Sequence, residues 1–274
     1  MKSFFIIFLF LQTCFLATGW SQELYPFTEP ASNMPANSIT AKYSLKLLKG
    51  FHTNKIEQRH SPEIMLGLSK KWMLHLGSSF SDMYFTKLRW ESIRLYSQYR
   101  FYSNDDIHKH FRMAAFGRAS YSRNDAYYDE LSLEGDQSGI QVGLTATQLV
   151  HKLAVSASVS NVQILQETRK NRVQFYPYQA MDFSLSTGYL LFPRTYTSYK
   201  QTNLNLYVEV LGQRTYDLQR HYVDIAPAIQ LIFNSNSKLN IGYRFEISGN
   251  MHRMANRSWM VSFERSFLNA IGKK

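Results

Sequence analysis

The sequence predicts an all-β fold, a single transmembrane antiparallel barrel of about twelve strands behind a cleaved signal peptide. Three observations carry that expectation. Amphipathic strand pairs recur along the chain with no helical pattern between them. The connections between them alternate between long and short, as they do in outer-membrane barrels, whereas a soluble sandwich has no reason to alternate. Aromatic residues make up 15% of the chain, with 18 Tyr and 19 Phe, yet the mean hydropathy is only −0.31. One lipid-facing and one wet surface give that balance.

Residues 1–22 hold an early Lys2, an apolar core over 4–11 extended by 14–17, and a small-residue end at 19–21, which reads as a secretory signal peptide. The one cysteine, Cys14, falls inside it. Leu11, Gln12 and Thr13 make a poor lipobox, so cleavage near Gln22 is preferred to lipidation. The mature chain then carries no thiol, which permits an oxidising compartment without demanding one. Residues 23–38 are punctuated by Pro26, Pro30 and Pro35 and show no periodicity. Two readings of this N-terminal arm stay open: a disordered segment, or a strap across the periplasmic mouth or into the lumen.

The barrel is expected over residues 39–267, with a periplasmic tail at 268–274. Strand signals fall at 39–47, 63–69, 72–83, 90–102, 110–122, 139–149, 152–164, 179–192, 202–212, 224–233, 238–248 and 257–267. The stretch 139–163 displays the pattern best. Ile140, Val142, Leu144 and Ala146 alternate with Gln141, Gly143, Thr145 and Thr147. Past a turn at 150–152, Leu153, Val155, Ala157 and Val159 alternate with Ala154, Ser156, Ser158 and Ser160. No run beyond residue 22 approaches the roughly 20 apolar residues a membrane helix needs, so any crossing is made by strands. Long connections are expected at 49–61, 123–136, 165–178 and 213–223, with shorter members of that class around 85–89 and 250–256, short ones at 70–71, 103–109, 151 and 234–237, and 193–200 blurs the contrast.

Parity assigns faces. Ile93, Leu95, Tyr99, Phe101, Leu206, Val208, Ile229, Ile241, Trp259 and Phe263 share the lipid face. Pro227 also falls there, where a strand end or a bulge would accommodate it. The opposite parity holds Lys42, Lys46, Glu63, His75, Arg94, Gln98, Arg100, Arg112, Arg118, Asp182, Glu209, Arg244, Glu246 and Glu264. A charge at the bilayer midplane costs roughly 2 to 4 kcal/mol, so these residues are expected to line the lumen.

Three stretches, Thr28-Glu29-Pro30-Ala31-Ser32-Asn33-Met34-Pro35, Arg89-Trp90-Glu91-Ser92 and Tyr189-Leu190-Leu191-Phe192-Pro193-Arg194, resemble a poorly characterised family of outer-membrane β-barrel proteins from Bacteroidota-type Gram-negative bacteria. The resemblance covers nearly the whole mature chain and implies a barrel in the cell outer membrane. It implies no catalytic or binding residue. More distantly, the layout is similar to porin-like transporters of the phenol-degradation type, in architecture only.

The formal net charge of +11 suits polyanions, and the export signal removes most of the case for nucleic acid. Outer-membrane lipid and small anionic solutes remain as partners. Arg94, Arg100, Arg112 and Arg118 could guide carboxylate or phosphate along an open path. Alternatively they pair with Glu63, Asp182, Glu209, Glu246 and Glu264 in a network that closes the barrel. Met251, His252 and Met254 offer the soft donors Cu(I) prefers, against the alternative of a solvated loop. A lipid acyl hydrolase would need a Ser-His pair, and His60-Ser61 is the one adjacent pair, in a predicted loop beside Pro62. No Gly-rich phosphate loop, zinc spacing or triad motif calls for a cofactor or another enzyme class. The expected function is porin-like passage of small solutes with an anionic preference. The alternative is a closed structural or surface-interaction barrel whose basic loops bind outer-leaflet phosphates.

Overall fold

A computed structural model describes residues 25–50, 55–85, 87–106, 109–125, 127–165, 177–193, 200–217 and 219–272. The leader at 1–22 and the start of the arm lie outside the described residues. Twelve strands follow in chain order: β1 (Ser38–Lys49), β2 (Ile56–Gly67), β3 (Trp72–Ser81), β4 (Arg89–Asp105), β5 (Lys109–Ser122), β6 (Gly139–Val150), β7 (Leu153–Ile164), β8 (Gln179–Phe192), β9 (Asn203–Thr215), β10 (His221–Phe233), β11 (Ser237–Gly249) and β12 (Arg257–Phe267). Each pairs antiparallel with its chain neighbours, and β1 closes on β12 from Ile39 opposite Phe267 to Leu48 opposite Ser258. Closure leaves no edge strand, which is what a sheet in hydrocarbon requires.

The barrel is apolar outside and polar inside. Leu76, Ile93, Leu95, Val142, Leu144, Leu185, Ile229, Ile241 and Phe263 are exposed on the outer wall. Gln98, Thr145, Glu209, Asp224, Gln230, Lys238 and Asn240 are buried within. This inverts the polarity of a water-soluble protein and marks the outer wall as lipid-facing. Aromatic pairs sit near both mouths, Trp72 with Tyr99 at 5.1 Å at one end and Tyr243 with Trp259 at 4.7 Å towards the other.

The connections at 68–71, 106–108, 151–152 and 234–236 are short and share one mouth, along with the longer 193–202. The opposite mouth carries 50–55, 82–88, 123–138, 165–178, 216–220 and 250–256. Two expected loops are shorter than predicted. β2 begins at Ile56 rather than 63, because Glu57 and Arg59 point inward while the outward positions Gln58, His60 and Pro62 are not the apolar residues that reveal a strand. β9 and β10 likewise run on through polar residues to Thr215 and from His221. Pro227 sits mid-strand opposite Val208, and the β10–β11 ladder skips Ala226 and Pro227, three residues from the bulge at Val223/Asp224. Neither a strand end nor a bulge coincides with it. A missing ladder bond accommodates its absent N–H.

Candidate functional site

The arm threads the lumen. From the base of β1 it passes over Gly67, where a methyl group would collide with the Pro35 carbonyl oxygen. Met34 then enters an apolar cluster with Met65, Met73 and Tyr96. Hydrogen bonds hold the next residues: Gln98 donates through its amide to the Pro30 carbonyl at 2.9 Å and to Asn33 at 3.0 Å, Arg112 donates to the Ser32 hydroxyl at 3.0 Å, and the Ala31 N–H donates to Thr147 at 2.9 Å. On the far wall the Glu209 carboxylate accepts from the Phe27 N–H at 2.9 Å, the Thr28 hydroxyl at 2.6 Å and the Ser186 hydroxyl at 3.0 Å. Tyr25 and Phe27 finish in a second apolar cluster with Leu149, Ala154, Tyr207 and Ala228. Gly242 leaves room for the Phe27 ring, which lies 2.6 Å from where a Cβ would be. The arm is thus a floor across the lumen, nearer the short-turn mouth.

A roof comes from the opposite end. The β5–β6 connection, 123–138, folds into the long-loop mouth and packs Leu131 and Leu133 on Val162, Ile164 and Ala180. Gln213 clamps Leu131 at both backbone groups, accepting from its N–H and donating to its carbonyl at 2.8 Å each. Arg59 donates to Asp136 at 2.6 and 3.2 Å and to Glu91 at 2.9 Å. Asn124 donates to Glu91 and to the Gly135 carbonyl, both at 2.9 Å. Arg253, from the 250–256 connection, donates to Asp224 at 2.8 Å and to Glu130 and Glu246 at 3.0 Å. Arg244 reaches Glu130 at 3.3 Å, and Arg220 pairs with Asp129. Burial opposes ionisation of Glu130, yet Arg253 and Arg244 hold its carboxyl below the usual carboxylate range. Asp136 is lowered too: its burial is outweighed by Arg59.

Between floor and roof lies a polar cavity of about 310 Å³. Lys42, Lys46, Glu63, His75, Arg94, Arg118, Asp182 and Arg244 line it. Most are paired: Lys42 with Glu264 at 3.6 Å, Glu63 with His75 at 3.0 Å and Arg94 at 3.2 Å, Arg118 loosely with Glu134 at 3.9 Å. Gln98, Arg112 and Glu209 are buried against the arm, Glu246 reaches Arg253, and Glu264 holds Lys238 as well as Lys42.

Arg100 departs from its predicted place on the path. It lies at the short-turn rim, donating to the Lys70 carbonyl at 2.7 Å, next to the bulge between Arg100 and Tyr102 that shifts the register of the ladder to β5. His60 and Ser61 fall in β2, so they point to opposite sides: His60 meets Tyr43 on the outer wall, and Ser61 lines the cavity. They form no pair. Met251 is buried, His252 is exposed against the Tyr128 ring and Met254 lines the cavity, so the three donors have three different surroundings. Among the described residues no group of three His, Cys, Asp or Glu is placed to hold a metal. Sequence reasoning missed Arg59, Gln213 and Arg253, which fall in expected connections, and Glu91 and Asp224, which stand at the first residues of expected strands.

No protein-family model and no curated protein matches the chain. Solved structures do match. The COG4313 outer membrane channel from Pseudomonas putida F1 superposes with a TM-score of 0.56 at 11% identity, over 89% of this chain and 100% of that one. The NanC porin gives 0.52 at 9% identity, over 83% and 98%, and the KdgM porin 0.51 at 11%, over 83% and 99%. The fold is that of an outer-membrane β-barrel. At such identities the likeness speaks for the architecture, and the arm, roof and cavity are argued from this chain's own residues.

Proposed function

We propose that the protein is a gated, porin-like barrel that passes small solutes across the outer membrane and favours those carrying an anionic group. In this reading the short-turn mouth, the arm and the tail face the periplasm, and the long loops face the exterior. One observation carries it: Lys46 points into the polar cavity and makes no ion pair or hydrogen bond among the described residues, while the cations around it are paired. Arg118, held only at 3.9 Å, stands as a second cation. A lysine without an ion-pair partner, held in a confined lumen, favours the entry of anions. Passage requires the arm to leave the lumen, since it crosses from β2 to β10.

A second reading, a closed structural or surface-interaction barrel, is favoured by the density of buried pairs that tie arm and roof in place. It gains less from the idea of basic loops on outer-leaflet phosphates, because Arg220 and Arg253 are already held by Asp129, Asp224 and Glu130. Membership in the Bacteroidota-type barrel family belongs to the same proposal. Two of the stretches behind it have structural work here: 28–35 runs through the lumen and Glu91 holds Arg59.

Planar-bilayer recording in a KCl gradient tests the proposal, using the full mature chain and a form lacking residues 25–36. Anion-selective currents are expected, larger without the arm, and Lys46→Glu should weaken the selectivity. Cation selectivity refutes the anionic preference. Silence of both forms refutes passage and leaves the closed barrel.

A further inference from the structure

Apart from Arg257 at the exposed long-loop rim, two charges that line the cavity have no ion-pair partner among the described residues, and they have opposite sign. Arg59, Arg94, Arg244 and Arg253 each have an acid within ion-pair distance, as do Lys42 and Lys238. Lys46 on β1 has none among the described residues, and Asp182 on β8 is its counterpart. The Asp182 carboxylate accepts from the Gln141 amide at 3.0 Å and the Gln213 amide at 2.7 Å, and no cation among the described residues lies within ion-pair distance of it. Neutral amides fix the orientation of a carboxylate without cancelling its charge. In the closed order of strands β1 and β8 are five steps apart of twelve, so the two groups stand on nearly opposite walls of one cavity.

Beside Asp182, on β6 to β8, the wall is made of small hydroxylated residues: Thr145, Ser158, Ser160 and Ser184. Their size keeps the space open. The Thr145 hydroxyl is buried with no hydrogen-bond partner among the described residues, and so is Nε2 of His75 on the charged wall. A buried polar atom without a partner is unusual and costs about 1 to 3 kcal/mol. An uncompensated ion away from bulk water costs more. Two opposite ions, each without an ion-pair partner among the described residues and lining the same space, are both paired by a single guest that carries both charges.

We propose that this cavity is a binding site for a small zwitterion, an amino acid or a short peptide, whose carboxylate pairs with Lys46 and whose ammonium pairs with Asp182. A cavity of about 310 Å³ has room for a guest of amino-acid or dipeptide size. The inference rests on the passage reading and sharpens its solute class from an anion to a molecule bearing both signs.

Calorimetric titration of the full mature chain in detergent at pH 7 tests it with three probes: glycylglycine, acetylglycine without the ammonium, and glycinamide without the carboxylate. Glycylglycine should bind at least tenfold more tightly than either of the others. Asp182→Asn should erase its advantage over acetylglycine, and Lys46→Met its advantage over glycinamide, with heat-modifiable gel mobility reporting that both variants are folded. Equal binding of the three probes overturns the inference, as does binding of none. So does an Asp182→Asn variant that weakens acetylglycine as much as glycylglycine. Bilayer recordings on the same preparation separate the two proposals. Anion-selective current with no preference among the probes overturns the zwitterion site and leaves passage standing. Selective binding with silent bilayers does the reverse.

Discussion

Glu209→Gln should open the floor of the lumen. In the native barrel the two carboxylate oxygens take three donors, the Phe27 N–H and the Thr28 and Ser186 hydroxyls, at 2.6 to 3.0 Å. An amide keeps the shape but offers one acceptor oxygen and turns the other position into a donor. With the amide oxygen on the Phe27 N–H, the NH2 group faces the Thr28 and Ser186 hydroxyls, which must turn to accept, and three bonds to a carboxylate become neutral ones. A hydrogen bond to a charged group contributes about 1.5 to 3 kcal/mol and a neutral one about 0.5 to 1.5, so weakening both arm bonds costs the docked arm roughly 2 kcal/mol. That is about a 30-fold shift towards the undocked arm, since each 1.4 kcal/mol is tenfold. The wall itself should be unaffected, because the Glu209 ladder pairing to Ala226 and Ser186 is made by backbone. Single-channel recording reads the shift as the fraction of time in the conductance level of the form lacking 25–36. An open fraction that stays at the native value refutes the account of Glu209 as the arm's anchor. A native chain already conducting as fully as the arm-deleted form refutes the arm as a floor.

Gly67→Ala should give the same opening by a different route, because its methyl meets the Pro35 carbonyl; bilayer recording checks it, and a fully closed variant would contradict the packing. Arg59→Ala leaves Glu91 and Asp136 without their cation and should cost about 3 to 5 kcal/mol, read as a lower temperature of gel-mobility shift. The roof should remain docked from pH 8 to 5 and loosen only in stronger acid. Glu130 and Asp136 have depressed folded-state pKa values, so their contribution is full above the unfolded carboxylate range and is lost as pH falls through the folded values. Protease sensitivity of the 123–138 connection against pH measures this. Arg100→Glu should alter neither selectivity nor heat resistance, because the side chain sits at the rim on the Lys70 carbonyl; a changed reversal potential would return it to the conduction path.

The sequence by itself determined the wall. Period-2 alternation is a local property, because neighbouring side chains on a strand must face opposite solvents, so β8 and β12 were legible to the residue and the lumen faces of Lys42, Arg94, Asp182 and Arg244 followed from parity. It was silent at residues 57–62, where Glu57 and Arg59 face inward but the outward positions are polar or Pro, and the strand looks like a loop. The contents of the barrel were decided only by tertiary structure. Nothing local to the arm's prolines says that Thr28 will meet Glu209, 181 positions away, or that Gln213 will clamp Leu131 from 82. Those contacts have no period. They arise because a closed barrel buries backbone groups of whatever enters it, and each entering N–H and carbonyl must find a partner on the far wall.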